Sequence, residues 1–360
     1  ACGREEMADA VLAVDLGPRS ISYAAVDDAE VPETPQVIHL TNDESAGGEW
    51  KNPQRHGLVE DWASMEALWD KVLSESMQGG SADIVAYTEP LHNPREARER
   101  SAEILFEKHS VDNIFMCPRT AAVMHDVGAS TGLAIHMDEE ETTIVPMYQG
   151  YVLRGRATTR RAYSGDAIAG YVQEVVREEN GMEVDLATAR DIARHCAEVA
   201  PQWGFSDDRY EEHVRELARD KDVAYTLPDG RTLSLGVERF KFAETLFEPS
   251  LAGLDAPGIV MDIDAVMKRC SWDWRTNLHR NMHLFGPASL MTGLKDRINY
   301  AVGLDVPPDC SVRTHHALGS SAVFDGIYTI AYCCSTHREF LLTKNDYGES
   351  GPKVIHRTFI

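Results

Sequence analysis

Val11-Leu-Ala-Val-Asp15 is an unbroken apolar run that ends at Leu16-Gly17-Pro18, the pattern of a strand buried on both faces and stopped by a turn. Ser20 to Val26 then alternates, which predicts the returning strand of a hairpin. Residues 28–55 are polar and rich in Pro and Gly with no sustained period, so an irregular segment is expected there. Met65, Leu68, Trp69, Val72 and Leu73 recur at helical spacing and predict a helix over 62–76. Ile84-Val-Ala-Tyr87 reads as a second buried strand, and after the breakers of Pro90 to Pro94 a helix is predicted over 95–109. Leu133-Ala-Ile135, Asp138 to Glu141 and Ile144-Val145 predict another hairpin, with an acidic tip. Strand-turn-strand openings thus recur near 11 and 132, each followed by helices, and such duplication predicts two related lobes. Helices are expected over 165–178, 186–198, 263–270 and 276–283, with a Leu227-Pro-Asp-Gly230 turn between two short strands and a loop over 249–258.

Length agrees with the duplication, because 360 residues exceed what one hydrophobic core usually fills. The apolar runs fall far short of the roughly 20 residues needed to cross a bilayer. Charge changes the picture more: 35 Lys+Arg against 58 Asp+Glu leave a net −23. Phosphate contact needs clustered bases, so this balance argues against a direct nucleic-acid binder and suits solubility or basic partners. The seven cysteines are scattered without a Cys-x-x-Cys spacing, which points to a reducing compartment rather than a disulfide framework or zinc module. Residues 1–10 carry four charges and no apolar run, so no secretory signal is read there.

Several runs in order along the chain resemble actin. His56-Gly57-Leu58-Val59, Trp62, Thr88-Glu89, Asn93-Pro94, Arg98-Glu99, Val145-Pro146, Tyr148 and Gly150-Tyr151 carry the resemblance in the first half. Leu227-Pro-Asp-Gly230, Glu238-Arg-Phe240, Leu246-Phe247, Pro249-Ser250, Gly258-Ile259, Tyr347, Glu349-Ser-Gly-Pro352, Val354, His356 and Arg357 carry it in the second. The resemblance implies an α/β, actin-like fold: two duplicated lobes of four subdomains around a central cleft that in the family holds ATP and a divalent ion. By position, subdomain one takes 1–32, 52–126 and 323–360, and subdomain two takes 33–51. Subdomain three takes 127–162 and 255–322, and subdomain four takes 163–254. Subdomain two is shorter than actin's, in the part that carries the loop docking into the next filament subunit.

The positions implied for the nucleotide depart from the family. Two hairpin tips should offer backbone amides to phosphate, which only glycine allows at close approach. At the first tip Asp15 and Gly17 match, but Pro18 replaces a serine and has no N–H, Arg19 replaces a glycine, and Ser22 stands at a phosphate-binding lysine. At the second, His136, Asp138 and Glu139 lead a run of four carboxylates through Glu141, and two unit charges about 4 Å apart cost roughly 4 kcal/mol at a dielectric near 20. The water-positioning glutamine falls at Arg119, which cannot orient water through a carbonyl. Ala193 and Arg194 replace the nucleoside-binding lysine and glutamate, Gly286-Pro287 replaces a Gly-Gly turn, and the base-stacking lysine falls near Ser320 or Ser321. A bridge from Arg119 to the acidic tip is expected to hold the lobes together without nucleotide.

The family's partner groove, carried over by position, is walled by His125, Gly128, Ala331, Cys334, Thr336 and Phe340. Arg154, Arg156, Arg160 and Arg161 form a basic cluster, a docking patch or a solvated face. His136 with the acidic run, His315-His316 and Cys333-Cys334 lack a recognised metal-site spacing, and no metal is expected. The resemblance implies a non-catalytic structural subunit of a cytoskeletal assembly (axonemal, dynein-associated or filament-capping) without a cofactor. Its partners would be protein subunits: actin, another actin-related protein or a helix-bearing scaffold, with no nucleic acid and no membrane. The alternatives are a polymerising homologue that binds ATP or ADP with Mg or Ca, and a nuclear chromatin-complex subunit. The corresponding locations are the cytoplasm, cytoskeleton, cilium or flagellum, and alternatively the nucleus.

Overall fold

Val11–Leu16 is buried along nearly its whole length because it sits in the middle of a sheet, paired antiparallel to Ser20–Val26 and parallel to Ile84–Glu89. The computed structural model describes residues 9–27, 30–41, 50–77, 81–160, 162–202, 208–219, 222–307, 310–316 and 321–359. The chain divides into two units, Ala1–Gly128 with Ser321–Ile360, and Ala129–Ser320.

In the first unit the described residues form a seven-stranded sheet in the order Leu342–Thr343, Asn113–Pro118, Ile84–Glu89, Val11–Leu16, Ser20–Val26, Gln36–Thr41 and Trp50–Lys51. One face packs Leu12, Val14, Tyr87 and Ile114 against Met65, Leu68 and Trp69 of the predicted Trp62–Ser76 helix. That helix starts where the Asp61 carboxylate accepts the Ser64 N–H at 3.1 Å, satisfying one of the donors that the first turn leaves open. The other face carries the helices Arg119–Asp126 and Ala322–Thr336. The segment expected to be irregular adds two strands to this sheet, Gln36–Thr41 and Trp50–Lys51, because Ile38 and Leu40 bury themselves beside the second strand of the hairpin, and its end, Gln54–Arg55, pairs with Leu58–Val59 in a separate ribbon. Asn113–Pro118 is a strand that the sequence pattern did not announce. The helix predicted over 95–109 is α-helical only over Arg95–Glu103 and widens into a π-turn over Ile104–Lys108.

The second unit repeats the opening. Gly132–Met137 and Thr142–Tyr148 form an antiparallel hairpin, and the first of these strands pairs parallel to Met282–Phe285, which pairs parallel to Thr314–His316. Leu133, Ile135, Met282 and Leu284 point into a core shared with the helices Gly165–Asn180, Leu186–Cys196 and Ile259–Arg269. The predicted turn at Leu227–Gly230 joins Val223–Thr226 to Thr232–Leu235, with Gly230 at φ 85°. The helix expected over 276–283 instead spans Trp272–Arg280, and the chain turns at Asn281 into the Met282–Phe285 strand, which buries all four of its residues. Within the expected loop 249–258 lies a short 3-10 turn, Pro249–Ala252. No helix among the described residues is long and apolar enough to cross a membrane.

Candidate functional site

The first hairpin turns at Gly17–Arg19, and two strands deliver the groups that hold it. Ile84–Glu89 places Thr88 beside Asp15, and Asn113–Pro118 ends where the Arg119–Asp126 helix begins, so Arg119 arrives at the same point. The Arg119 guanidinium grips both oxygens of Asp15, Nε to Oδ1 at 3.1 Å and Nη2 to Oδ2 at 3.2 Å. The Thr88 hydroxyl donates to Asp15 Oδ1 at 2.6 Å while accepting the Leu16 N–H at 3.0 Å. The side chains of Arg119 and Asp15 are only 16% and 9% exposed, so this is a buried, charge-assisted pair.

The carbonyls of the tip are taken as well. Gln54 Nε2 donates to Gly17 O at 3.2 Å, Asn52 Nδ2 to Pro18 O at 2.8 Å, and the Leu40 N–H to Arg19 O at 2.8 Å. Gly17 is needed for closeness, since a Cβ there would stand 2.7 Å from the Ser20 carbonyl oxygen. Ser22 lies opposite Asp15 in the antiparallel register. Sequence reasoning singled out Asp15, Gly17, Pro18, Ser22 and Arg119, and it missed Asn52 and Gln54, which no spacing pattern marks.

The second tip is a compact turn docked on a helix start. The Asp138 N–H donates to Glu141 O at 3.0 Å, and Asp138 Oδ1 accepts the Glu139 N–H at 2.8 Å. The carbonyls of Asp138 and Glu139 accept the N–H groups of Gly165 and Asp166 at 3.0 and 2.7 Å, so the tip satisfies the first turn of the Gly165–Asn180 helix. Its acids diverge: Asp138 turns back toward its own backbone and His136 Nε2 (3.5 Å), whereas Glu139 Oε1 meets Arg194 Nη2 at 3.3 Å. The His136 ring lies flat on Phe285 at 4.6 Å. Gly286, at φ 93°, follows so closely that a Cβ would stand 2.6 Å from Met137 O, and Pro287 opens the next 3-10 turn.

Arg119 pairs with Asp15 within its own unit, and in the other unit Glu139 of the acidic tip meets Arg194. Two arginines sit on two carboxylates, one at each tip, through contacts that no local spacing encodes. Ser320 and Arg161 lie outside the described residues. Among the described residues no three or more His, Cys, Asp and Glu side chains gather where an ion would be held.

The six groove residues do not share one exposed wall. Ala331 and Cys334 are fully buried, and burial pushes the Cys334 thiol up to about 12. His125, Gly128, Thr336 and Phe340 are exposed, Phe340 by 59%. The C-terminal segment packs elsewhere in this unit: Phe359 meets Phe115 edge-on at 5.6 Å, and Arg98, paired with buried Glu89, donates to the Phe359 carbonyl at 3.1 Å.

The family model for actin matches this chain in two overlapping stretches, residues 22–198 and 184–360. An "Actin-like protein" of Neurospora crassa is 28% identical over 321 residues, covering 85% of this chain and 81% of that relative. With duplicated hairpin openings, sheets of matching topology and a match over nearly its full length, the chain belongs to the actin family.

Proposed function

We propose that this actin-family chain is a non-catalytic structural subunit of a larger cytoskeletal assembly (axonemal, dynein-associated or filament-capping), and that it neither binds nor hydrolyses ATP. The observation that carries the reading is the Arg119–Asp15 pair. In the family's arrangement that aspartate orders the water around a divalent ion. Here an internal cation already neutralises it, and an ion arriving there would have to displace a bidentate guanidinium. Pro18 removes one amide from the clasp, and the Asp138–Glu141 run brings negative charge to the other tip. These residues do not fit a nucleotide with its ion.

The partners in this reading are other protein subunits: actin, another actin-related protein or a helix-bearing scaffold, in the cytoplasm, cytoskeleton or cilium. The net −23 disfavours direct contact with nucleic acid. To test the reading, purified protein is denatured and its supernatant chromatographed for adenine nucleotide. An empty supernatant is expected. Near-stoichiometric ATP or ADP overturns the reading and favours the polymerising homologue.

A further inference from the structure

Three guanidinium groups of the second unit gather around the buried Cys270 thiol. Arg156 lies 5.2 Å over the Trp274 ring, which is itself stacked at 4.4 Å on Tyr148. Arg269, the last residue of the Ile259–Arg269 helix, donates from Nη1 to Ala157 O at 3.0 Å and to the Thr158 hydroxyl at 3.1 Å. Arg275 donates to Cys270 O at 3.2 Å and Lys268 O at 2.9 Å, and lies 5.7 Å from the Trp272 ring. Among the described residues these three arginines meet carbonyls, a hydroxyl, a thiol and rings, and no carboxylate. In a chain with 58 acids and 35 bases that is unexpected, since nearby acids usually compensate a cluster of this kind.

Arg275 and Lys268, the latter paired with Asp264 at 2.5 Å, also line a cavity of about 250 Å³ whose walls include Met267, Trp272, Val302 and Val306 together with Asp264 and Asp305. Trp272 is 71% exposed, and Met261 and Leu304, each next in sequence to a lining residue, are 65% and 68% exposed. An exposed Trp and a half-buried Arg beside a pocket with apolar walls is a composition that binding hot spots favour.

We propose that this surface docks a short acidic segment of a partner protein, its carboxylates on Arg156, Arg269 and Arg275 and one apolar side chain in the cavity. Charge decides between ligands. Guanidinium forks suit carboxylates, and their aromatic supports hold them in place. A membrane or a nucleic-acid duplex would lay an extended anionic surface on a molecule of net −23, within a Debye length of about 8 Å of its acids, whereas a short segment meets only the patch. The proposal does not depend on whether the protein retains nucleotide.

A random-peptide display library panned on the intact protein tests it. The enriched peptides are expected to carry an acidic cluster beside a large apolar residue. Their binding is expected to weaken with added salt and to fall about tenfold or more in Arg269→Glu and in Trp272→Ala. Trp272 is 71% exposed and its ring lies beside Arg275, so its variant keeps the test intact if Arg269→Glu fails to fold. Enrichment without acidic bias, acidic peptides that bind both variants as well as the parent, or stronger binding to phosphatidylserine vesicles than to the selected peptides would each overturn the proposal.

Discussion

Asp15 shows how one substitution at a distance changes what a matching residue does. The aspartate agrees with the family, yet its partners Thr88 and Arg119 lie 73 and 104 positions along the chain. Arg119→Gln restores the family's side chain and leaves Asp15 buried without its cation. It is expected to lower stability by about 2–4 kcal/mol in denaturant titration, with no recovery on adding Mg-ATP; recovery would show that the aspartate still serves an ion. His283 makes a second prediction. Its ring lies on the sheet face opposite the core residues Met282 and Leu284, stacks on His315 at 5.1 Å, and has neither nitrogen hydrogen-bonded. Burial, helped by His315, pulls its pKa from 6.5 down to about 4. The folded state therefore holds this ring neutral while the unfolded chain takes up the proton, so the stabilisation is complete above pH 6.5 and lost as pH falls toward 4. The contribution to the slope is at most about 1.4 kcal/mol per pH unit, and His283→Leu should flatten the stability profile in that window.

Elements met their predictions where burial is periodic. Ser20–Val26 and Trp62–Ser76 have the predicted bounds, because the side chains that alternate or recur every three to four residues are the ones buried. Asn113–Pro118 escaped because its apolar run, Ile114-Phe115-Met116-Cys117, is too short to show a strand or helix period, and its neighbours on either side make it a strand. Helix against helix depends on a feature that periodicity does not show. At Gly326 in Ala322–Thr336 the backbone lies so near Arg119–Asp126 that a Cβ would stand 2.0 Å from the Ala122 carbonyl oxygen. Gly326→Ala must separate the two helices and is expected to cost about 3 kcal/mol or more, read as a fall in Tm. An unchanged Tm would mean that the helices slide apart freely.

For the whole molecule, family membership rests on matches spread along the chain, whereas a role in assembly rests on surfaces. A structural subunit that does not polymerise should stay in the supernatant when salt and Mg-ATP are added and the sample is centrifuged. Salt-dependent pelleting would instead favour a filament former. By itself the sequence determined the duplicated α/β plan, the hairpin openings at 11 and 132, the actin resemblance and the unusual residues Pro18, Arg119 and the Asp138–Glu141 run. Those features are local, or repeat with the period of a strand or helix, and so can be read along a line. Only the tertiary structure decided that Arg119 neutralises Asp15, that Arg194 meets Glu139, that Ala331 and Cys334 are buried, and that three arginines cluster with, among the described residues, no carboxylate bonded to them. The reason is physical: charge pairing and burial depend on distance in space, and the chain brings these partners together only when its sheets and helices pack.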